Sequence, residues 1–210
     1  MELSEIFYSL QGESSYAGLP CVFVRLAGCN LRCTYCDTQY AYESEFTLSI
    51  KDVIKEVEKY HPVKLVELTG GEPLLQNDSI ALMNKLIEMG HTVLLETNNS
   101  ISLKDVPKDV IKIVDFKTPS SGMSDKMLWD NIQYFQKKDE LKFVIADRQD
   151  FDWSLMILKK YDLLKFRILF SPVFGKLDQT ELAEWILETK LPIRLNVQMH
   201  KLLWGDKRGK

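Results

Sequence analysis

Cys29-Asn30-Leu31-Arg32-Cys33-Thr34-Tyr35-Cys36-Asp37-Thr38 is the stretch that decides the fold, and it follows directly on the apolar run Cys21 to Ala27. Three of the chain's four cysteines fall here at CxxxCxxC spacing. A structural zinc closes a tetrahedron with four protein ligands, and an ordinary cubane iron–sulfur cluster takes four thiolates, one per iron. Three thiols on one short loop, with no obvious fourth, leave one iron of a cluster open to a ligand. An electron-transfer centre or a zinc knuckle is the plainer use of the same residues.

Outward from this loop, strand-like and helix-like segments alternate. Before it, Glu5 to Leu10 reads as a short strand, Gln11 to Gly18 as a polar loop, and Pro20 starts the strand Cys21–Ala27. After it, Ser49 caps a helix running to about Tyr60, with Val53, Ile54 and Val57 as the buried stripe. Val63 to Leu68 is a strand, and a helix near Asp78 buries Ile80, Met83 and Ile87 before Gly90 at its C-cap. Strands follow at Thr92–Glu96 and Val110–Phe116, then a helix from Ser124 carrying Met127, Leu128, Ile132 and Phe135. The remainder reads as strand Leu141–Ala146, helix through Trp153 to Tyr161, strand Phe166–Phe170, helix Asp178–Glu188 and strand Ile193–Met199. Apolar strands separated by helices imply a mostly parallel sheet covered by helices, one α/β domain over residues 1–210. Periodicity leaves open whether that sheet is flat or curls towards a barrel.

Composition narrows the function classes. A chain of 210 residues, 45% hydrophobic and 27% charged, suits one globular core. A net charge of −3 advertises no basic field for nucleic acid. The amino terminus has no secretory pattern and no apolar run is long enough for a bilayer, so no membrane and a cytoplasmic location are expected. Cysteines in such a chain suggest metal or catalysis before disulfides. Cys21, inside a strand, reads as a buried inert thiol, and His61 and His91, near helix ends, as solvent-exposed.

The polar residues of interest fall just after strands, where parallel α/β folds place their chemistry. They are Thr69-Gly70-Gly71-Glu72-Pro73, Glu96-Thr97-Asn98-Asn99, Asp115-Phe116-Lys117-Thr118-Pro119-Ser120 and Ser171-Pro172-Val173-Phe174. Adjacent glycines let a backbone approach a ligand closely, although a GGE alone is usually a turn.

The cysteine loop continued by Cys36-Asp37-Thr38, with the GGEP one strand later, resembles the radical S-adenosylmethionine (SAM) superfamily. That resemblance implies a partial (β/α)6-type barrel with helices on its outer face and a [4Fe-4S] cluster on Cys29, Cys33 and Cys36. It implies that SAM is held by Tyr35, Cys36, Asp37, Gly70, Gly71, Glu72, Glu96, Asn98, Lys117, Pro119, Ser120, Ser171, Pro172, Val173 and Phe174. The cofactors then carry the radical chemistry, so no protein side chain is singled out as catalytic.

Leu10-Gln11-Gly12-Glu13 followed by Gly18, Phe23 and Arg25 narrows the resemblance to the 7-carboxy-7-deazaguanine synthases, as do Cys36-Asp37-Thr38-Gln39-Tyr40-Ala41 and Gln198-Met199-His200-Lys201. These imply ring contraction of 6-carboxy-5,6,7,8-tetrahydropterin to 7-carboxy-7-deazaguanine with loss of ammonia, a carbon–nitrogen lyase reaction of queuosine biosynthesis. Residues 1–20 become a substrate-binding element, with Leu10, Gln11, Gly12, Glu13, Arg25, Thr69 and His200 at the substrate. Arg25 offers a planar fork for a carboxylate, Gln11 a donor and acceptor for a pterin edge. Thr38 joins a Mg²⁺ site with substrate oxygens and water, against the plainer reading as a turn residue. Implied partners are an electron donor such as flavodoxin or ferredoxin and a second copy in a homodimer. Ser14 departs from the family pattern, which has Gly there. The competing readings are a glycyl-radical activase, which does not need the Gln11–Arg25 element, and a non-enzymatic iron–sulfur or zinc carrier, which needs a fourth ligand.

Overall fold

The computed structural model describes all 210 residues, and its strands form one nine-stranded sheet. Strand β1 (Glu2–Leu10) pairs antiparallel with β2 (Pro20–Leu26) on one side and with the short β3 (Phe46–Thr47) on the other. From β2 the sheet is parallel throughout. It continues in order through β4 (Leu65–Gly70), β5 (Thr92–Thr97), β6 (Ile111–Phe116), β7 (Glu140–Ile145), β8 (Arg167–Pro172) and β9 (Ile193–Leu195). β3 and β9 stand at opposite edges and do not pair, so the sheet is not closed.

Four of the crossovers are α-helical: α1 (Ile50–Glu58), α2 (Asp78–Glu88), α3 (Arg148–Lys160) and α4 (Gln179–Thr189). Ser49, Asp147 and Asp178 cap three of them by accepting from backbone N–H groups of the first turn, which have no partner inside the helix. A short α5 (Met199–Trp204) ends the ordered elements.

Alternation along the strands sorts their side chains between two faces. Val22, Val24 and Leu26 of β2 join Val66, Leu68, Val93, Leu95, Val114, Phe116, Phe143 and Phe170 in a core of 31 residues beneath the helices. Each Leu or Phe fully buried there contributes about 1.5–3 kcal/mol relative to exposure. Phe116 stacks on Phe143 at 5.1 Å, and Phe143 meets Phe170 edge-on at 5.5 Å. The opposite face is divided. Cys21, Phe23, Leu65, Leu94, Ile111 and Ile113 form a small apolar floor, and the next residues on that face of the same strands are Arg25, Glu67, Glu96 and Asp115. Polarity therefore concentrates on one face, towards the carboxyl ends of the strands.

Several expected elements shift. The segment from Ser124 forms 3-10 turns at Ser124–Lys126 and Trp129–Tyr134 rather than an α-helix. There Leu103 N–H donates to Asn131 Oδ1 while Asn131 Nδ2 donates to Asn99 and Ile101, so side chain–backbone bonds hold it in place of a helical ladder. The last strand stops at Leu195, and Met199–His200 begin α5 instead of extending it. In α2 the fully buried apolar residues are Leu82, Met83 and Leu86, with Ile80 and Ile87 packed at the margin. His91 is buried, not exposed, its Nε2 lying 2.7 Å from Glu58 Oε1. Cys21 is a fully buried free thiol.

Candidate active site

A cavity of about 500 Å³ opens on the polar face, between the strand ends, the cysteine loop and α5. Every residue expected to bind cofactor or substrate lines it except Glu72, Pro119 and Ser120.

Cys29, Cys33 and Cys36 are free thiols, half-buried along one wall. Burial raises the thiols of Cys29 and Cys33 above the usual cysteine range, so ligation to a metal would release protons. No three His, Cys, Asp or Glu side chains converge on one point as a single metal ion requires. A cubane with one iron left open makes a different demand, one thiolate for each of the other three irons, and the three cysteines fit that in number and kind. Asn98 Nδ2 reaches Asn30 Oδ1 at 3.2 Å and Cys29 Sγ at 3.8 Å, tying the end of β5 to this loop.

The paired glycines serve the packing of the loop itself. A Cβ on Gly70 would overlap the backbone of Leu26, and one on Gly71 the carbonyl of Gly28 beside Cys29. Gly71 N–H donates to Leu26 O at 3.1 Å and Glu72 N–H to Gly28 O at 2.8 Å. The absent side chains thus let the end of β4 lie directly on the strand that delivers the cysteines. Glu72 is enclosed below: its carboxylate accepts from Thr97 Oγ1, Asn98 N–H and Leu74 N–H at 2.7–3.0 Å. Burial raises it to about 6, outweighing those bonds. It braces the turn and does not face the cavity. Ser120 likewise turns away, donating from its N–H to Asp150 and from Oγ to Asp147, while Pro119 opens a 3-10 turn.

An ion network crosses the middle of the cavity. Lys142 Nζ, on β7, meets Glu96 on β5, Glu13 Oε2 at 3.0 Å and Asp115 Oδ2 at 3.8 Å. Lys117 is enclosed and pairs with Asp115 at 2.8 Å, and Asp115 raises its pKa against the pull of burial. Glu96 also accepts from Thr69 Oγ1 at 3.0 Å, and although burial opposes it, Lys142 leaves its carboxyl below the usual range. Glu67 bears no cationic partner, and burial pushes it well above that range. Glu67 and Lys142 were not expected as site residues, and Asp115, inside one of the strand-end stretches, was given no role of its own. Glu67 and Lys142 interrupt the apolar runs Val63–Leu68 and Leu141–Ala146, and a charge inside a strand covered on both faces is the signal that marks them.

The amino-terminal element arches over this network. Gln11 Nε2 donates to Glu67, and Gln11 Oε1 accepts from Glu13 N–H at 2.6 Å. Its amide is therefore largely engaged within the protein. Ser14 adopts a left-handed φ of 65°, a conformation free to glycine, and the family's Gly is accommodated at that slot. Arg25 Nε donates to Glu5 at 2.8 Å, its terminal nitrogens make no bond to protein, and the residue lines the cavity. α5 closes the far side. Met199 N–H donates to Gly12 O at 2.9 Å, His200 packs against Gly12, and Gln198 reaches Glu13 Oε1 at 2.9 Å. Burial lowers the His200 pKa. Lys201 pairs with Asp37 at 2.9 Å. Thr38 makes no capping bond and donates to Asp37 Oδ1 at 2.9 Å.

Comparison with known proteins bears on this arrangement. The family model described as the radical SAM superfamily matches residues 24–119. The 7-carboxy-7-deazaguanine synthase of Koribacter versatilis is 42% identical over 97% of this chain and 97% of its own length. That of Chlorobaculum tepidum is 42% identical over 100% and 97%, and that of Thermoplasma acidophilum 40% identical over the whole of both chains. Among solved structures, QueE from Escherichia coli superposes with a TM-score of 0.78 at 21% identity, covering 95% of this chain and 94% of that one.

Proposed function

The chain belongs to the 7-carboxy-7-deazaguanine synthase family of the radical SAM superfamily, and from that premise we propose how its cavity is divided between cofactor and substrate. The enzyme is a lyase that contracts 6-carboxy-5,6,7,8-tetrahydropterin to 7-carboxy-7-deazaguanine with loss of ammonia, in 7-deazapurine biosynthesis. When bound, the [4Fe-4S] cluster and SAM supply the radical chemistry that removes a hydrogen from the substrate.

Cys29, Cys33 and Cys36 hold the cluster on the rim. Asp37, Asn98, Glu96, Lys117 and the Ser171–Phe174 segment, which line the same cavity, hold SAM. The substrate lies deeper, between the Leu10–Glu13 arch, Arg25, Thr69 and His200. The free end of Arg25 matches the substrate carboxylate. The low basicity of His200 keeps it a neutral hydrogen-bonding partner. Thr38, substrate oxygens and water form the magnesium site, with Thr38 Oγ1 released from Asp37. A flavodoxin or ferredoxin delivers electrons, and the enzyme works as a homodimer.

The observation carrying this reading is that cysteine loop, strand-end polar residues and amino-terminal element all line one cavity. The test is anaerobic turnover of the reconstituted protein with SAM, reductant, magnesium and 6-carboxytetrahydropterin, followed by mass spectrometry. Formation of 7-carboxy-7-deazaguanine is expected. Release of 5'-deoxyadenosine without that product would discard the substrate, and no cleavage by a fully loaded cluster would discard the radical mechanism.

A further inference from the structure

Glu67 is the one acidic residue of the cavity that neither a cation nor a capping role explains. It is 3% exposed and sits between the apolar floor at Leu65 and the strand end at Thr69. Its Oε2 accepts from Gln11 Nε2. Its Oε1 has no protein partner, yet it is not among the sealed, unpaired polar atoms, and the residue lines the cavity. A polar oxygen left open at the base of the pocket is placed to meet a polar atom of the ligand.

We propose that Glu67 is a specificity-determining residue of the substrate site, gripping the bicyclic ring through Oε1 while Oε2 holds Gln11 in place. The inference deepens the synthase reading and rests on it. The charged groups facing Glu67 are Glu13 above it, Glu96 on β5, Lys142 on β7 and Arg25 on β2, with the Cys21 thiol alongside. Burial and the two carboxylates favour its neutral form more than Lys142 and Arg25 oppose it. As a neutral acid it accepts from Gln11 at one oxygen and donates from the other. The ring atom it meets is therefore an acceptor, an oxo oxygen or a ring nitrogen lone pair. Ionisation would remove that donor, so substrate affinity falls as pH rises through the Glu67 pKa.

The experiment compares wild type, Glu67→Gln and Glu67→Val by steady-state turnover and by anaerobic titration calorimetry with 7-carboxy-7-deazaguanine. Gln keeps a donor at that position, so its KM and product Kd should stay within about threefold of wild type and lose their pH dependence. Val should raise both about ten- to a hundredfold, the range for a buried partner left unmade, with kcat and iron content near wild type. Unchanged KM and Kd in Glu67→Val would overturn the assignment. So would equal losses of iron, SAM cleavage and binding, which would make Glu67 structural. A wild type that neither turns over nor binds this product would overturn the synthase reading, and this inference with it.

Discussion

Replacing Lys142 with Met keeps an unbranched side chain one atom shorter and removes the only cation within reach of both Glu13 and Glu96. Lys142 is 5% exposed and stands 3.0 Å from Glu13 and 3.8 Å from Asp115, with Glu96 closer still. Removing one partner of a buried pair leaves the other charge uncompensated, at a cost of about 3–5 kcal/mol. For a chain of this size that corresponds to a melting temperature lower by about 6–20 °C. The loss should depend on pH. Lys142 holds Glu96 below its ordinary range, so the stability it provides is present above the unfolded carboxylate pKa and fades as pH falls through the folded one. Lys142→Met should therefore be most damaging at neutral and alkaline pH and least damaging in acid. Anaerobic urea denaturation at several pH values measures this, with Lys142→Met/Glu96→Gln as the second arm. The double variant should recover part of the loss because one buried charge is gone. A loss below about 1 kcal/mol, or none of it recovered, would refute the network as a coupled unit.

Other expectations follow from the same geometry. Ala at Cys29, Cys33 or Cys36 should abolish cluster assembly and turnover together, read as iron content and product; an active cluster-free variant would contradict the assignment. Gly71→Ala forces a methyl onto Gly28 O and should cost about 1–3 kcal/mol or more, read by thermal melting, while lowering iron incorporation by displacing the cysteine loop. Arg25→Ala should leave iron content and SAM cleavage largely intact and raise substrate KM; equal loss of all three would mean that Arg25 acts through its pair with Glu5.

The fold was legible because parallel strands covered by helices leave mostly apolar runs, as β2 and β4 to β8 do. The cysteine loop was legible because ligand spacing is a local property of the chain. What escaped the sequence depends on contacts distant along it. The segment after Ser124 carries a helical apolar stripe, but Asn131, bonded to Leu103, Asn99 and Ile101, holds it in 3-10 turns. Gly70 and Gly71 read as a ligand cradle, yet their immediate neighbours are Leu26 and Gly28 across the sheet. Gln11 reads as a free pairing edge until Glu67, 56 residues away, is found to occupy its amide. Glu67 and Lys142 showed only as charges inside apolar strands, a signal whose meaning appears once both face the same cavity.

On the reading proposed above, cluster, SAM and substrate share the cavity on the polar face of the sheet. An anaerobic crystal structure of the reconstituted protein with SAM and 6-carboxytetrahydropterin tests it most directly. SAM is expected between the cysteine loop and Ser171–Phe174, with the pterin below it against Arg25 and Glu67. Pterin density outside this cavity, or a cluster lacking any one of Cys29, Cys33 and Cys36 as ligand, would contradict it.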